Sequence, residues 1–191
     1  MDSLVAWDQS LFLFLNGLHT SWLDPVMIYI SKTWTWVPLY LFLVVMVWRD
    51  GGWRRLVWYL LCAGLVILLA DRLSVLAFKD VVQRLRPSHE PLLAGQVYLP
   101  TGHRGGLYGF VSSHAANTCG IALLSALWIG RRWVSCLLLG WVVLVCYSRI
   151  YLGMHYPGDL LCGALLGGGV AAALLLLMKG LGRRFTRHAN V

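Results

Sequence analysis

Charge is what this chain has least of. Asp, Glu, Lys and Arg make up only 13% of its 191 residues, and the acidic side counts eight against sixteen basic. That is about half the charged share of an ordinary soluble domain, too little to clothe a folded surface that faces water. No Cys-x-x-Cys pair occurs. The five cysteines, Cys62, Cys119, Cys136, Cys146 and Cys162, are odd in number and sit in apolar stretches, so they read as small buried hydrophobes rather than disulfides or metal ligands. No Gly-x-Gly-x-x-Gly follows a strand pattern, and no tandem repeat, low-complexity tract or linker interrupts the chain. The start does not read as a cleavable signal peptide. Asp2 stands where a basic segment belongs, and the apolar core from Leu11 to Leu15 is very short.

Hydrocarbon is abundant instead. Hydrophobic residues reach 59%, the mean hydropathy is +0.68, and ten Trp and eight Tyr are available as interfacial anchors. Lipid must be part of the solvent of such a chain. The formal charge of +8 falls in loops between apolar runs, where topology and anionic headgroups explain it better than nucleic acid does.

The apolar runs predict an all-α, polytopic bundle of about five membrane helices, forming a single domain over residues 1–191. The expected spans are Trp22 to Trp48, bent near Pro38; Trp53 to Phe78; Ser113 to Ile129; Trp133 to Tyr147; and Pro157 to Met178. Before them, Leu4, Val5, Trp7, Leu11, Phe12, Phe14 and Leu15 are interrupted by Asp8, Gln9 and Asn16. That pattern suits an interfacial helix, with a short sixth span as the alternative. Alternation puts Arg49, Arg54 and Arg55, then Arg131 and Arg132, then Lys179, Arg183, Arg184 and Arg187 on one side. Positive-inside bias assigns that side to the cytoplasm. The connections Lys79 to Ser112 and Ser148 to Tyr156 then face outward.

The chemistry concentrates in those two outer connections. Lys79 and Arg86, two helical turns apart, would share a face if the second span continued. Ser112, Ser113 and His114 stand before the third span, where hydroxyls cap a helix and free amides hold an anion. Arg149 ends the fourth span, and His155 precedes Asp159 by four residues at the start of the fifth. Phosphoryl transfer needs positive charge around the phosphoryl oxygens more than covalent machinery. Lys79, Arg86 and Arg149 would supply it, with amides near Ser112 to His114 as neutral donors. A neutral His155 oriented by Asp159 could attack phosphorus, and His114 could protonate the departing oxygen. Taken singly, each residue also has an ordinary reading, as a snorkelling helix end, an N-cap, a loop histidine or a first-turn acid. Three separated clusters on one face argue against that reading.

The segments Lys79 to Pro87, Ser112-Ser113-His114, and Ser148-Arg149 with His155 and Asp159 resemble the three signature motifs of the type-2 phosphatidic acid phosphatase family. In family form these are K-x6-R-P, P-S-G-H and S-R-x5-H-x3-D. The first and third match in full; in the second, Val111 replaces the proline and Ser113 the glycine. The resemblance covers residues 79–159. It implies a metal-independent lipid-phosphate phosphatase or phosphotransferase without a cofactor, with His155 as nucleophile, Asp159 as its partner and His114 as acid. Lys79, Arg86, Ser112, Ser113 and Arg149 would cradle the phosphate. The implied partners are a membrane lipid phosphate and the bilayer. Undecaprenyl diphosphate and lipid A are favoured over phosphatidic acid and phosphatidylglycerol phosphate, and the oligomeric state is left open. Arg84, His89, Glu90, His103 and Arg104 are candidate headgroup contacts. Asp71 and Arg72, as charges at or within a span, invite a functional reading or a rim ion pair. His19 and His188 read as bystanders.

Two further classes compete. A metal-dependent hydrolase could take His114, His155 and Asp159 as ligands, but the three cations beside them would repel a divalent ion. A non-catalytic lipid transporter would keep the cradle yet gives no reason for the His155–Asp159 spacing. The expected topology is open to direct test. A cysteine replacing Arg104 is expected to react with an impermeant thiol reagent in intact cells or spheroplasts, and one replacing Arg184 only after the membrane is opened; the reverse pattern would move the site to the cytoplasmic face.

Overall fold

The structure, a computed structural model, describes the backbone of residues 2–188 and the side chains of residues 3–180. The side chains of Arg183, Arg184, Arg187 and His188 therefore lie outside the described residues. The helices are α1 (Asp2–Gly17), α2 (Asp24–Ile30), α3 (Val37–Leu73), α4 (Asp80–Val82), α5 (Ser113–Ile129), α6 (Arg132–Tyr151) and α7 (Pro157–His188). A π-helical stretch, Ser74–Lys79, joins α3 to α4. Among the described residues the sole strand-like contact is an isolated bridge between Leu85 and Tyr108.

Among the described residues three helical stretches are long and apolar enough to cross a membrane: Thr33–Val82, Arg132–Tyr151 and Pro157–Gly180. The first is 50 residues long and folds back on itself. Gly51 and Gly52 leave helical geometry, and the φ of +67° at Gly52 is one that glycine adopts without steric penalty. The side-chain pairs prove the reversal. Trp36, Tyr40 and Phe42 meet Trp141 and Trp133 of α6 in antiparallel order. Beyond the glycines, Tyr59 meets Ser125 and Ser74 meets Ser113, antiparallel to α5. With α5, 17 residues and about 25 Å long, the bundle has five passes.

The first pass differs from the expected Trp22 to Trp48. The chain breaks after α2, makes a 3-10 turn at Thr33–Trp36 and starts afresh at Val37. Pro38 lies in the first turn of the new helix, where its missing N–H costs nothing, so it begins a helix instead of bending one.

α5 is the axis of the bundle. Ala115, Ala116, Leu124 and Ser125 are fully buried, whereas Leu61, Leu68, Leu139, Leu165 and Leu176 face outward, as lipid requires. α7 runs parallel to α5 at close range because both present small residues. Gly163 packs on the Ser112 carbonyl, and Gly167 on Ala116. Parallel α5 and α7 both begin at the same end, so Ser113 and Asp159 enter from one side. At the opposite end Asp50 pairs with Arg131 at 2.6 Å, and Arg55 donates to the Trp128 carbonyl at the end of α5.

α1 inverts the reading of its sequence. Asp8, Phe12 and Asn16, one face at i, i+4 spacing, are buried, while Leu4, Trp7 and Phe14 are exposed. Asn16 donates to the Tyr98, Ile150 and Tyr151 carbonyls and accepts from the Tyr98 amide. Phe12 meets the Tyr156 ring edge-on at 5.4 Å. These contacts fall where α6 ends and α7 begins, so α1 braces the motif-bearing end. His19 stacks on Tyr98 with ring centroids 3.5 Å apart.

A Cβ at Gly167 would overlap the Ala116 carbonyl oxygen, whereas Gly140 has nothing within 4 Å. Gly167→Val is expected to abolish recovery of monodisperse protein in detergent, and Gly140→Ala to leave it unchanged. Size-exclusion profiles and thermal melts check both.

Candidate active site

Four segments converge at the end where α5 and α7 begin. Lys79 comes from the π-helical stretch, whose wider turn brings Ser74 and Lys79 to one face. Lys79 Nζ donates to Ser113 Oγ at 2.7 Å, and Ser74 Oγ lies 2.7 Å from the same oxygen. The helix does not continue to Arg86 as the spacing allowed. It stops at Val82, with Gln83 in the left-handed region, and Arg86 is brought back by the loop between α4 and α5. The Arg86 amide donates to the Leu107 carbonyl, Gly109 N donates to the Arg84 carbonyl, and Arg86 Nε donates to the Tyr108 carbonyl. Gly109 fits closely there, because a Cβ would lie 3.1 Å from both Arg86 Cγ and Asp159 Oδ2.

Ser112 is the N-cap of α5. Its hydroxyl accepts from Ala115 N at 3.4 Å, and its amide donates to the Asp159 carbonyl at 3.0 Å, tying the two helix starts together. Arg149, in the last turn of α6, donates from Nη1 to Ser31 Oγ, and its Nε is buried without a partner.

The turn after α6 delivers the second histidine. Gly153 has a φ of +69°, and a Cβ there would strike Leu99, so the chain can reverse tightly. Pro157 then opens α7. Asp159 is the third residue of that helix, and its Oδ2 accepts from Tyr156 N at 3.1 Å, the reciprocal half of a capping box. His155 is 2% exposed and Asp159 0%. His155 Nδ1 lies 3.6 Å from Asp159 Oδ2, oriented toward it but longer than a hydrogen bond. Among the described residues Nδ1 has no hydrogen-bond partner. Burial, reinforced by Arg86, Arg149 and Lys79, holds the imidazole well below the usual histidine range, so the ring is neutral and its lone pair available.

The other outer-loop candidates divide. Arg84, expected near a headgroup, is turned inward: Nη1 meets Asp159 Oδ1 at 2.9 Å and Nη2 meets Asp8 Oδ2 at 2.8 Å. His89, Glu90 and Arg104 line a cavity of about 200 Å³ in the loop, with His89 Nε2 3.3 Å from the Gly105 carbonyl. His103 lies apart from them, exposed, its amide donating to Thr101 Oγ1. Asp71 instead lines a cavity of about 400 Å³, which runs from Ser113 and His114 between the two limbs of α3 to Tyr59 and Trp141.

Sequence reasoning missed Asp8, Ser31 and Ser74. Asp8 was signalled by the i, i+4 series with Phe12 and Asn16. Ser74 needed the π-helical register, and Ser31 carries no local signal.

A membrane helix bundle whose cations gather round a neutral buried histidine defines an anion-processing membrane protein. The comparisons give the family: residues 52–183 match the PAP2 superfamily, and the chain belongs to it. It is 38% identical to the lipid A 4'-phosphatase of Bacteroides thetaiotaomicron, over 84% of this chain and 72% of that protein. It is 32% identical to the lipid A 4'-phosphatase of Porphyromonas gingivalis, over 87% and 71%. The crystal structure of a transmembrane PAP2-type phosphatidylglycerolphosphate phosphatase from Bacillus subtilis has a similar fold, with a TM-score of 0.68, 21% identity, and coverage of 96% of this chain and 88% of that one.

Ser113 orients Lys79 through a hydrogen bond to a charged group, worth roughly 1.5–3 kcal/mol. Ser113→Ala is therefore expected to lower kcat/KM by about tenfold to a hundredfold and to weaken inhibition by inorganic phosphate in step. Unchanged phosphate inhibition would separate Ser113 from the anion site.

Proposed function

We propose that this chain hydrolyses a phosphate ester of a lipid A-type membrane lipid, without a metal, through a phosphohistidine on His155, at the outer face of a bacterial cytoplasmic membrane. The observation that carries a lipid substrate is the cavity of about 400 Å³ ending at Ser113 and His114. Its walls are Tyr40, Leu43, Tyr59 and Ile67, apolar groups at membrane depth suited to an acyl chain, while the phosphate end meets cations. The identity to two lipid A 4'-phosphatases favours a phosphorylated sugar headgroup among the lipid classes. Basic residues at the opposite end of the bundle, Arg55 and Arg131 among them, support an outward-facing site.

The geometry supports a mechanism in two steps. Nδ1 of His155 is turned to Asp159, which leaves Nε2 for phosphorus. The Nε2 lone pair forms the N–P bond as the bond from phosphorus to the lipid oxygen breaks, and that oxygen keeps the electron pair and takes a proton from His114. Lys79, Arg86 and Arg149 hold the equatorial oxygens, and the Nδ1–Asp159 contact tightens as the ring gains positive charge. Water then attacks phosphorus, His114 takes its proton, and the N–P electron pair returns to Nε2 as phosphate leaves. Among the described residues no three His, Cys, Asp or Glu side chains gather as a metal would require.

His155→Ala is expected to abolish phosphate release while the protein remains monodisperse, and wild-type activity is expected to persist in excess EDTA and fall with vanadate. In a panel of lipid A 4'-phosphate, undecaprenyl diphosphate, phosphatidic acid and phosphatidylglycerol phosphate, the highest kcat/KM is expected for lipid A. Preference for the polyprenyl diphosphate would overturn the substrate, and activity restored after chelation by one divalent metal would overturn the mechanism.

A further inference from the structure

Asp8 lies outside the segment that matches the family, in a helix with no part in the three motifs, yet it closes an ion chain that ends at the active-site carboxylate. Its two oxygens have separate tasks. Oδ1 accepts from Gly158 N at 2.8 Å, capping the first turn of α7 from outside that helix. Oδ2 accepts from Arg84 Nη2 at 2.8 Å, and Arg84 Nη1 donates to Asp159 Oδ1 at 2.9 Å. The guanidinium lies 4.0 Å over the Tyr156 ring, which fixes its plane. Gly158 permits the approach, because a Cβ would lie 2.8 Å from Asp8 Oδ2.

The charges explain why two carboxylates are used. Arg84 paired with Asp159 alone would make a neutral couple and leave His155 facing Lys79, Arg86 and Arg149 with little opposing charge. Asp8 neutralises Arg84, so the Asp8–Arg84–Asp159 chain carries one net negative charge, and that charge can meet the imidazole when it becomes cationic. Arg84 also occupies Oδ1 and so turns Oδ2 toward His155 Nδ1. On the assignment of His155 and Asp159 made above, on which this rests, we infer that Asp8 and Arg84 are positioning residues that act on the nucleophile through Asp159, coupling the N-terminal helix to the chemical step. Asp159 is the charged side chain through which the Asp8–Arg84 pair faces the ring, and Asp8 and His155 are not neighbours in the chain.

A double-mutant cycle tests the route. Asp8→Asn keeps an oxygen for Gly158 N but removes the negative charge that faces Arg84. It is expected to lower kcat on a detergent-dispersed lipid phosphate about tenfold, with KM within about twofold. Asp8→Glu is expected to recover part of that loss. In the Asp159→Asn background, followed by single turnover, Asp8→Asn is expected to change the rate by less than about twofold. An equal loss in both backgrounds, a change in KM alone, or a lowered melting temperature with wild-type kcat would each overturn the inference. If Asp8→Asn is not recovered folded, Asp8→Glu in the two backgrounds runs the same cycle with the same criteria. Activity in His155→Ala would sink the underlying assignment, whereas an additive cycle beside an inactive His155→Ala would overturn this inference alone.

Discussion

Lys79, Arg86 and Arg149 stand near enough to one buried imidazole to depress its proton affinity, in a place where water screens them poorly. Holding like charges together out of water is costly, and the rest of the fold can be understood as the means of tolerating it. Lys79 is tethered by Ser113, which Ser74 holds in turn, Arg86 by the Tyr108 carbonyl, and Arg149 by Ser31. Among the described residues none of the three makes an ion pair within 4.0 Å, and the nearby carboxylate, Asp159, is claimed by Arg84. Such a cluster is complete when a multiply charged anion lies among its members, and a phosphate ester has the charge and the oxygen geometry to do so.

The scaffold fits that demand. Glycines on α7 let it run against α5 so closely that the two helix starts open side by side. The π-helical stretch and the outer loop carry Lys79 and Arg86 to the same point by different routes. α1 and the segment at Ser31, outside the family match, press from the flank and hold Arg84, Gly158 and Arg149. The apolar cavity meets the cationic cluster at Ser113 and His114, an arrangement that suits a molecule with an apolar part and an anionic part.

The helical class and the approximate passes were legible because apolar runs of membrane length have few alternative structures. The motif residues were legible because their spacing is preserved against helix starts and ends: Asp159 lies where a capping box needs an acceptor, and Ser112 where an N-cap belongs. Other features were not. The break between α2 and α3 falls at Ser31-Lys32-Thr33, a polar interruption so short between apolar runs that hydropathy reads through it as one helix. Asp8 and Asn16 looked like polar interruptions, because burial of polar groups depends on partners at Gly158, Arg84 and Tyr98 that sequence proximity does not reveal. Arg84 was misjudged for the same reason. A cation in an exposed loop suggests a headgroup contact until the two carboxylates facing it are seen.

The central claim is a covalent bond between phosphorus and His155. It is tested most directly by mixing the detergent-solubilised protein with a lipid substrate labelled in its phosphate and quenching within the first turnover. The quenched protein is then digested, and the labelled peptide is mapped at alkaline pH. The account predicts label on His155, stable to base and lost in acid, absent from His155→Ala and accumulating in a His114 variant that cannot activate water. Label on Ser112 or Ser113, or full single-turnover hydrolysis with no labelled histidine at any quench time, would contradict it.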